Sequence, residues 1–270
     1  MQGSLGEKIG QGSMSDVHAW APGQVVKLFK ASVPRQVGWH EAHMTRAAFA
    51  AGCPAPEVLD VVTLEGRFGI VLRRLDGPTL LQLSRSGATT RAQTGAVLAG
   101  LYRAVHETPP TWEVLPLRDW MDHSLRSVGS VVPQHIATGI RALIDRLQPG
   151  DGLCHGDLHP GNVIMTADGP RIVDWTFAMR GPAAYDLARC HILLSELVPE
   201  SVDDPERPRA VNAAAQAEYA RLAGTSQAAL TAAIEAYMPI VRVFVLIVGA
   251  EGALRERLIQ RIEAALRPQD

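Results

Sequence analysis

Only three lysines, Lys8, Lys27 and Lys30, stand among the 26 basic residues of this 270-residue chain. A solvated lysine face does not account for each of them, and Lys27, inside the apolar run Val25–Phe29, needs its own reason. Cysteine is as scarce: Cys53, Cys154 and Cys190 are odd in number, widely spaced and form no Cys-x-x-Cys pair. That argues against a disulfide framework or a zinc knuckle and fits a reducing cytoplasm. The three read as small buried apolar side chains. The net charge of −2 supplies no general attraction to nucleic acid. The opening twelve residues are polar and glycine-rich, unlike a signal peptide. The most apolar stretch, 239–250, carries Arg242 and is too short for roughly 30 Å of hydrocarbon, so it reads as a core helix. These absences lead us to expect a cytoplasmic protein with no nucleic-acid, membrane or obligate protein partner. What is present, 47% apolar against 20% charged residues, suffices for one large domain or two modest lobes.

The first eighty residues read as strands around one helix. Val17–Trp20 and Val25–Phe29 flank a Pro22-Gly23 turn, and Val58–Thr63 and Phe68–Leu72 flank a Glu65-Gly66 turn. Between them, 36–51 has helical character and stops at Gly52, with Pro54 and Pro56 beyond. From about Pro78 the pattern turns helical: Val97, Leu98, Leu101, Tyr102 and Val105 keep helical spacing, as do Ile136, Ile140, Leu143, Ile144 and Leu147. Past Asp186 the chain is almost wholly helix-forming, interrupted near Pro199–Pro208. A β-rich front and an α-rich back predict two lobes joined near Arg73–Pro78, and a crevice between lobes is a common small-molecule site.

The densest polar motif is His155-Gly156-Asp157-Leu158-His159-Pro160-Gly161-Asn162, set between two apolar runs. It reads as a shaped loop whose polar groups either cap turns or carry function. Val163–Met165 and Arg171–Val173 then flank an Asp168-Gly169 hairpin turn. A turn centred on that dipeptide pairs Val163 with Asp174; one residue of shift pairs Asn162 with Asp174. Either register ends the two arms in Asn162 and Asp174, with Cα atoms roughly 5 Å apart or slightly more, and an amide oxygen and a carboxylate held together are a donor set suited to Mg²⁺. Asp157 would stand across the loop as a separate carboxylate, free to act as a base. Near the start, Gly10-Gln11-Gly12-Ser13-Met14-Ser15 precedes a strand. A dinucleotide fingerprint needs a helix there, and a P-loop needs Gly-Lys-Ser/Thr. An ordinary turn explains these glycines, and so does a loop laying N–H groups over phosphates. An ammonium on an apolar strand is costly unless paired, and Glu41 on the following helix is a plausible partner for Lys27.

Together these pieces match the parts used for phosphoryl transfer: a glycine-rich loop, a strand lysine with a helix glutamate, a loop aspartate, and an Asn/Asp pair for Mg²⁺. The chain resembles the aminoglycoside phosphotransferase and choline kinase group of the protein-kinase-like fold. The resemblance is carried by His155–Asn162, Ile172-Val173-Asp174-Trp175, Gly181-Pro182, Tyr185-Asp186-Leu187-Ala188, Val26-Lys27, Glu41, Gly52-Cys53-Pro54-Ala55-Pro56 and Leu101–His106. It extends from about Gly6 to about Arg189. It implies an α+β, two-lobe fold: residues 1–77 as a nucleotide-binding lobe ending in a hinge at 73–77, and 78–270 as a helical lobe with the catalytic loop 155–162 and the acceptor site. It implies ATP (or GTP) and Mg²⁺ as cofactors and a small-molecule hydroxyl as acceptor. Asp157 would be the catalytic base and Asn162 and Asp174 the metal ligands. Lys27, kept in place by Glu41, would contact the α- and β-phosphates. Gly10, Gly12, Ser13 and Ser15 would fold over the phosphates, and Arg73 to Leu75 would meet the purine edge. His155 and Asp186 would brace the loop. Where protein kinases carry Asp-Phe-Gly this chain has Asp174-Trp175-Thr176, and Asp186 follows only twelve residues after Asp174. That leaves little room for a peptide-docking segment and favours a small acceptor over a protein. A nucleotide-binding module without turnover is the alternative. From 191 to 270 there are 11 acidic and 8 basic residues, net −3, which permits a cationic acceptor but equally describes a solvated helical face.

Overall fold

The computed structural model describes residues 5–109, 114–127, 129–147, 150–198 and 202–267. In chain order the strands are β1 (Lys8–Gln11), β2 (Ser15–Ala21), β3 (Gln24–Phe29), β4 (Val58–Leu64), β5 (Arg67–Arg73), β6 (Gly152–Cys154), β7 (Val163–Thr166), β8 (Gly169–Ile172) and β9 (Met179–Gly181). The α-helices are α1 (Arg35–Ala50), α2 (Leu80–Ser86), α3 (Arg91–His106), α4 (Leu117–Ser127), α5 (Gln134–Arg146), α6 (Ala183–His191), α7 (Glu206–Ala223), α8 (Gln227–Ile247) and α9 (Gly252–Leu266), with a π-helical segment at Ile192–Leu197. The chain forms two compact units, 1–90 with 155–178 and 91–154 with 179–270.

In the first unit an antiparallel sheet of order β1-β2-β3-β5-β4 carries α1 on one face. Phe29, Phe68 and Ile70 of the sheet meet Ala42 of α1, with Val33, Val37, Val58, Val61 and Leu72 packed around them. Every residue of β3 from Val25 to Phe29 is buried, Lys27 included, so the apolar run that marks it as a strand also marks it as the inner one. Both expected turns close the sheet. Glu65 and Gly66 each have positive φ (49° and 77°), the requirement of a two-residue type I′ hairpin. A second, two-stranded sheet pairs β7 with β8. Its register departs from both expected ones. Thr166 faces Gly169 and Val163 faces Ile172, which sets Asn162 beside Val173 and leaves Asp174 one residue beyond. The reason is the turn: Ala167 and Asp168 keep negative φ, and Gly169 alone turns positive at 104°. That is the pattern of a type I turn closed by a glycine bulge.

The boundary expected at 73–77 lies inside the first unit, and 155–178 packs with the strands rather than with the later helices. The ties are backbone ones: Ile172 N–H donates to the Pro54 carbonyl at 2.7 Å and Met165 N–H to the Pro78 carbonyl at 2.9 Å. α2 adds to this unit with a capping box between Thr79 and Gln82.

In the second unit α3 packs along α7, α6 against α8, and α8 against α9. α8 is longer than the expected 239–250 segment. It starts after the Ser226 cap, which accepts the Ala229 N–H, runs through Pro239 and ends at Ile247. By length and composition alone it could cross a membrane, but 61% of its most apolar window is buried within the protein. The interruption expected at 199–208 falls partly outside the described residues; α7 begins at Glu206, so Pro208 sits in its first turn, where a missing N–H costs nothing. Cys53, Cys154 and Cys190 are buried and in no disulfide.

Gly77 ties the first unit together. Its φ is +152°, and a Cβ there would come within 2.0 Å of the Met165 carbonyl oxygen. Gly77→Ala is expected to cost at least about 2 kcal/mol, through strain and forced separation of the β7 strand. A urea unfolding curve with an unmoved midpoint would show that this turn gives way freely.

Candidate active site

Lys27 enters the interior from β3, paired across the sheet with Val17 and Ile70. Its side chain is 10% exposed. The Nζ donates to Glu41 Oε1 at 2.6 Å and lies 3.2 Å from Asp174 Oδ1. Burial alone would push the Lys27 amine down; the charges of Glu41 and Asp174 outweigh it and hold the ammonium above its ordinary range. Burial would likewise raise the Asp174 carboxyl, but Lys27 and the Thr176 hydroxyl hold it below the usual carboxylate range. Glu41 goes the other way. It is buried on α1, and desolvation with the Asp174 charge nearby raises its carboxyl despite the ion pair.

Thr176 completes this group, and the sequence reading had not singled it out. Its Oγ1 lies 2.8 Å from Glu41 Oε2 and 2.7 Å from Asp174 Oδ1. A hydroxyl has one proton and donates to one carboxylate at a time. The only sequence signal for Thr176 is its position two residues after Asp174. Asp174 itself has φ +67°, a left-handed conformation that costs a non-glycine residue about 1–2 kcal/mol and that Asp tolerates better than most. Trp175, fully buried with its Nε1 donating to the Ile172 carbonyl at 3.1 Å, anchors the chain in that shape.

The 155–162 loop is set by its two histidines. The Asp157 N–H donates to His155 Nδ1 at 3.1 Å, so the proton of this buried ring lies on Nε2, which donates to the Val173 carbonyl at 3.2 Å. His155 also meets the edge of Trp175 at 4.7 Å. It braces the loop, as expected. The Gly161 N–H donates to His159 Nδ1 at 3.0 Å, which turns His159 Nε2 toward Asp157 Oδ2, 3.8 Å away. Asn162 donates from Nδ2 to the Asp157 carbonyl at 2.9 Å and to Asp157 Oδ2 at 3.3 Å. With the amine side of Asn162 so used, its amide oxygen and Asp174 Oδ2 have no hydrogen bond among the described residues. Two free oxygens, one charged and one neutral, fit a divalent cation that keeps part of its water shell.

The structure thus brings Lys27, Glu41, Asp174 and Thr176 into one cluster, and Asp157, Asn162 and His159 into another, joined through the Asn162–Val173 backbone bond beside Asp174. The expected glycine loop is shorter than read. Gly10 belongs to β1 and Ser15 to β2, leaving 12–14 as the turn, closed by Gly12 N–H on the Ser15 carbonyl at 2.8 Å. Lys30 tethers that turn by donating from Nζ to the Ser13 carbonyl at 2.7 Å. Over the segment expected to be a hinge, the Arg73 and Arg74 N–H groups donate to the Glu57 and Gly23 carbonyls, both at 2.9 Å. Of the three N–H groups over Arg73–Leu75, only that of Leu75 is left among the described residues. Asp186 lies in the other unit, buried, with His106 Nε2 at 3.2 Å and the opposite ring nitrogen of His106 at 2.8 Å from the Tyr219 hydroxyl.

A β-sheet unit that buries a lysine between two carboxylates, beside an Asp–Asn loop, defines a protein-kinase-like fold. Residues 15–225 match the phosphotransferase enzyme family, and the chain belongs to that family. Methylthioribose kinase of Geobacillus kaustophilus (strain HTA426) is 40% identical over 53 residues, which span 19% of this chain and 13% of that protein. Among solved structures, ADP-bound aminoglycoside phosphotransferase APH(2″)-Ib aligns at TM-score 0.58 and 18% identity, over 98% of this chain and 93% of that one. A choline/ethanolamine kinase family protein from Mesorhizobium loti aligns at TM-score 0.54 and 18% identity, over 98% and 89%. Identities this low establish shared fold.

Thr176→Val removes the hydroxyl and keeps the shape. It is expected to lower stability by about 1–3 kcal/mol, because a buried carboxylate oxygen loses its partner. Thr176→Ser, which keeps the hydroxyl, is expected to lose distinctly less. Equal losses in denaturant unfolding would assign the effect to packing.

Proposed function

We propose that this protein is a small-molecule kinase that transfers the γ-phosphoryl group of ATP (or GTP) to a hydroxyl of a small acceptor, with Mg²⁺. The observation that carries this reading is the buried Lys27 ammonium, 2.6 Å from Glu41 and 3.2 Å from an Asp174 held in a left-handed backbone. Neither the cost of that burial nor that strain serves the hydrophobic core. Both fit a cation and an anion kept for nucleotide phosphates and their metal.

In this reading Lys27 meets the α- and β-phosphates and Glu41 fixes its position. The turn at 12–14 supplies backbone N–H groups over the phosphates, and the Leu75 N–H meets the purine edge. Asn162 and Asp174 would hold the Mg²⁺, which supplies positive charge against the phosphate oxygens. Asp157 accepts the acceptor's hydroxyl proton at its carboxylate. Its Oδ2 takes the Asn162 amide N–H and faces His159, which fixes the carboxylate. Proton transfer comes late in a loose transition state, so the base chiefly orients the nucleophile.

A coupled assay for released nucleoside diphosphate, run with ATP and with GTP across aminoglycosides, macrolides, amino alcohols and sugars, tests the reading. Silence with every acceptor would remove it. Asp157→Asn is expected to lower kcat about 10²–10⁴-fold and leave nucleotide affinity nearly unchanged. Near-parent kcat on a true acceptor would take Asp157 out of the mechanism. Asp174→Ala is expected to weaken Mg²⁺-dependent nucleotide binding more than Asn162→Ala, since it removes charge as well as an oxygen. Mg²⁺ titrations with nucleotide present rank the two, and the reverse order would displace the metal from this pair.

A further inference from the structure

All three lysines of the chain lie in the first unit: Lys8 on β1, Lys27 on β3 and Lys30 just past β3. Two of them are neutralised. Lys8 Nζ lies 2.9 Å from Asp16 Oδ1, and Lys27 is held by Glu41 and Asp174. Lys30 has no ion-pair partner among the described residues. Its Nζ is given instead to a backbone oxygen, the Ser13 carbonyl, at 2.7 Å. Its own backbone is fixed on both sides: its N–H donates to the Met14 carbonyl at 2.9 Å, and its carbonyl accepts the Val33 N–H at 3.0 Å. Lys30 therefore takes two successive carbonyls of the 12–14 turn, one with its side chain and one with its main chain. Among the described residues the Ser13 carbonyl has no other donor.

Peptide geometry gives this clamp a consequence. A trans peptide is planar, and its N–H points opposite to its C=O. The peptide bonds of the described residues are trans. Drawing the Ser13 carbonyl toward Lys30 turns the Met14 N–H away from it. Drawing the Met14 carbonyl toward Lys30 does the same for the Ser15 N–H. Neither N–H has a hydrogen-bond partner among the described residues, although Ser15 is only 4% exposed. A backbone N–H on so buried a residue is almost always paired, so this one calls for a partner from outside the chain. Successive backbone N–H groups left free in this way attract an anion.

We infer that Lys30 is a positioning residue for the nucleotide phosphates. It acts through the turn, holding the Ser13–Met14 peptide with its N–H presented to a phosphate oxygen, and its side chain stays on the Ser13 carbonyl. This role rests on the kinase reading above and adds to it a residue outside the motifs that carry the family resemblance.

The probes are ADP and GDP, each with Mg²⁺, titrated calorimetrically into the full chain and into its Lys30→Met and Lys30→Arg variants. Lys30→Met keeps the length of the side chain and loses the donor. For the diphosphate that binds the parent it is expected to bind at least about tenfold more weakly, the worth of one hydrogen bond to a charged group. Lys30→Arg keeps a donor for the Ser13 carbonyl and is expected to recover most of that loss. The matching nucleoside, which has no phosphate, is expected to bind parent and Lys30→Met alike. In the amide-nitrogen NMR spectrum of the parent, the Met14 N–H is expected to shift when the diphosphate binds. Equal diphosphate affinity in parent and Lys30→Met overturns the assignment. So does an equal loss for the nucleoside, which would mark a general disturbance of the unit, and so does a Met14 N–H that the diphosphate leaves unmoved. A parent that binds neither diphosphate removes the kinase reading and this role together. A parent that binds one of them while Lys30→Met binds it equally well removes this role alone.

Discussion

The buried ammonium of Lys27 is the constraint around which the first unit is arranged. Removing a charge from water costs several kcal/mol, and removing one partner from such a buried pair costs about 3–5 kcal/mol. One cation between two carboxylates leaves an excess negative charge, and the fold answers it in two ways. Thr176 contributes a hydroxyl within reach of both acids, and burial raises the Glu41 carboxyl above its ordinary range. The result is a cluster with little freedom to relax. Its members come from β3, α1 and the segment after β8, so three separate elements are fixed by one set of charges.

How much of this the sequence discloses depends on the length scale of the cause. Apolar runs and turn dipeptides locate β2 to β5 within a residue or two, because strand burial and turn chemistry are local. Lys27 is conspicuous because a lysine is out of place in Val-Val-Lys-Leu-Phe, and Glu41 is legible as its partner because α1 lies against that strand. The register of the β7–β8 hairpin was not legible. Asp-Gly suits the centre of a two-residue turn, yet the glycine here is the bulge residue that follows it. Thr176 was not legible either, since its role arises from Glu41, 135 residues earlier in the chain. The same applies to the compact division. Nothing local in 155–178 says that its strand N–H groups will be taken by the carbonyls of Pro54 and Pro78.

The helical unit shows a different economy of charge. Its composition is acidic, and a composition-level reading permits a cationic ligand. Locally the arrangement differs, with Glu196 held by two arginines, Arg242 and Arg261. Net charge over eighty residues says little about the field at any one side chain, where the nearest groups dominate.

The discontinuity of the first unit has a consequence for synthesis. On the ribosome, Lys27 and Glu41 emerge 14 residues apart and can pair early. Thr176 follows Glu41 by 135 residues, which at bacterial-to-eukaryotic elongation rates is roughly 7–27 s. For that interval the sheet and α1 hold a lysine–glutamate pair without Asp174 and Thr176, and the Pro54 and Pro78 carbonyls lack the hairpin N–H groups they later accept from. The unit that comes first in sequence is therefore completed only after the helices of 91–147, which belong to the other unit, have left the tunnel.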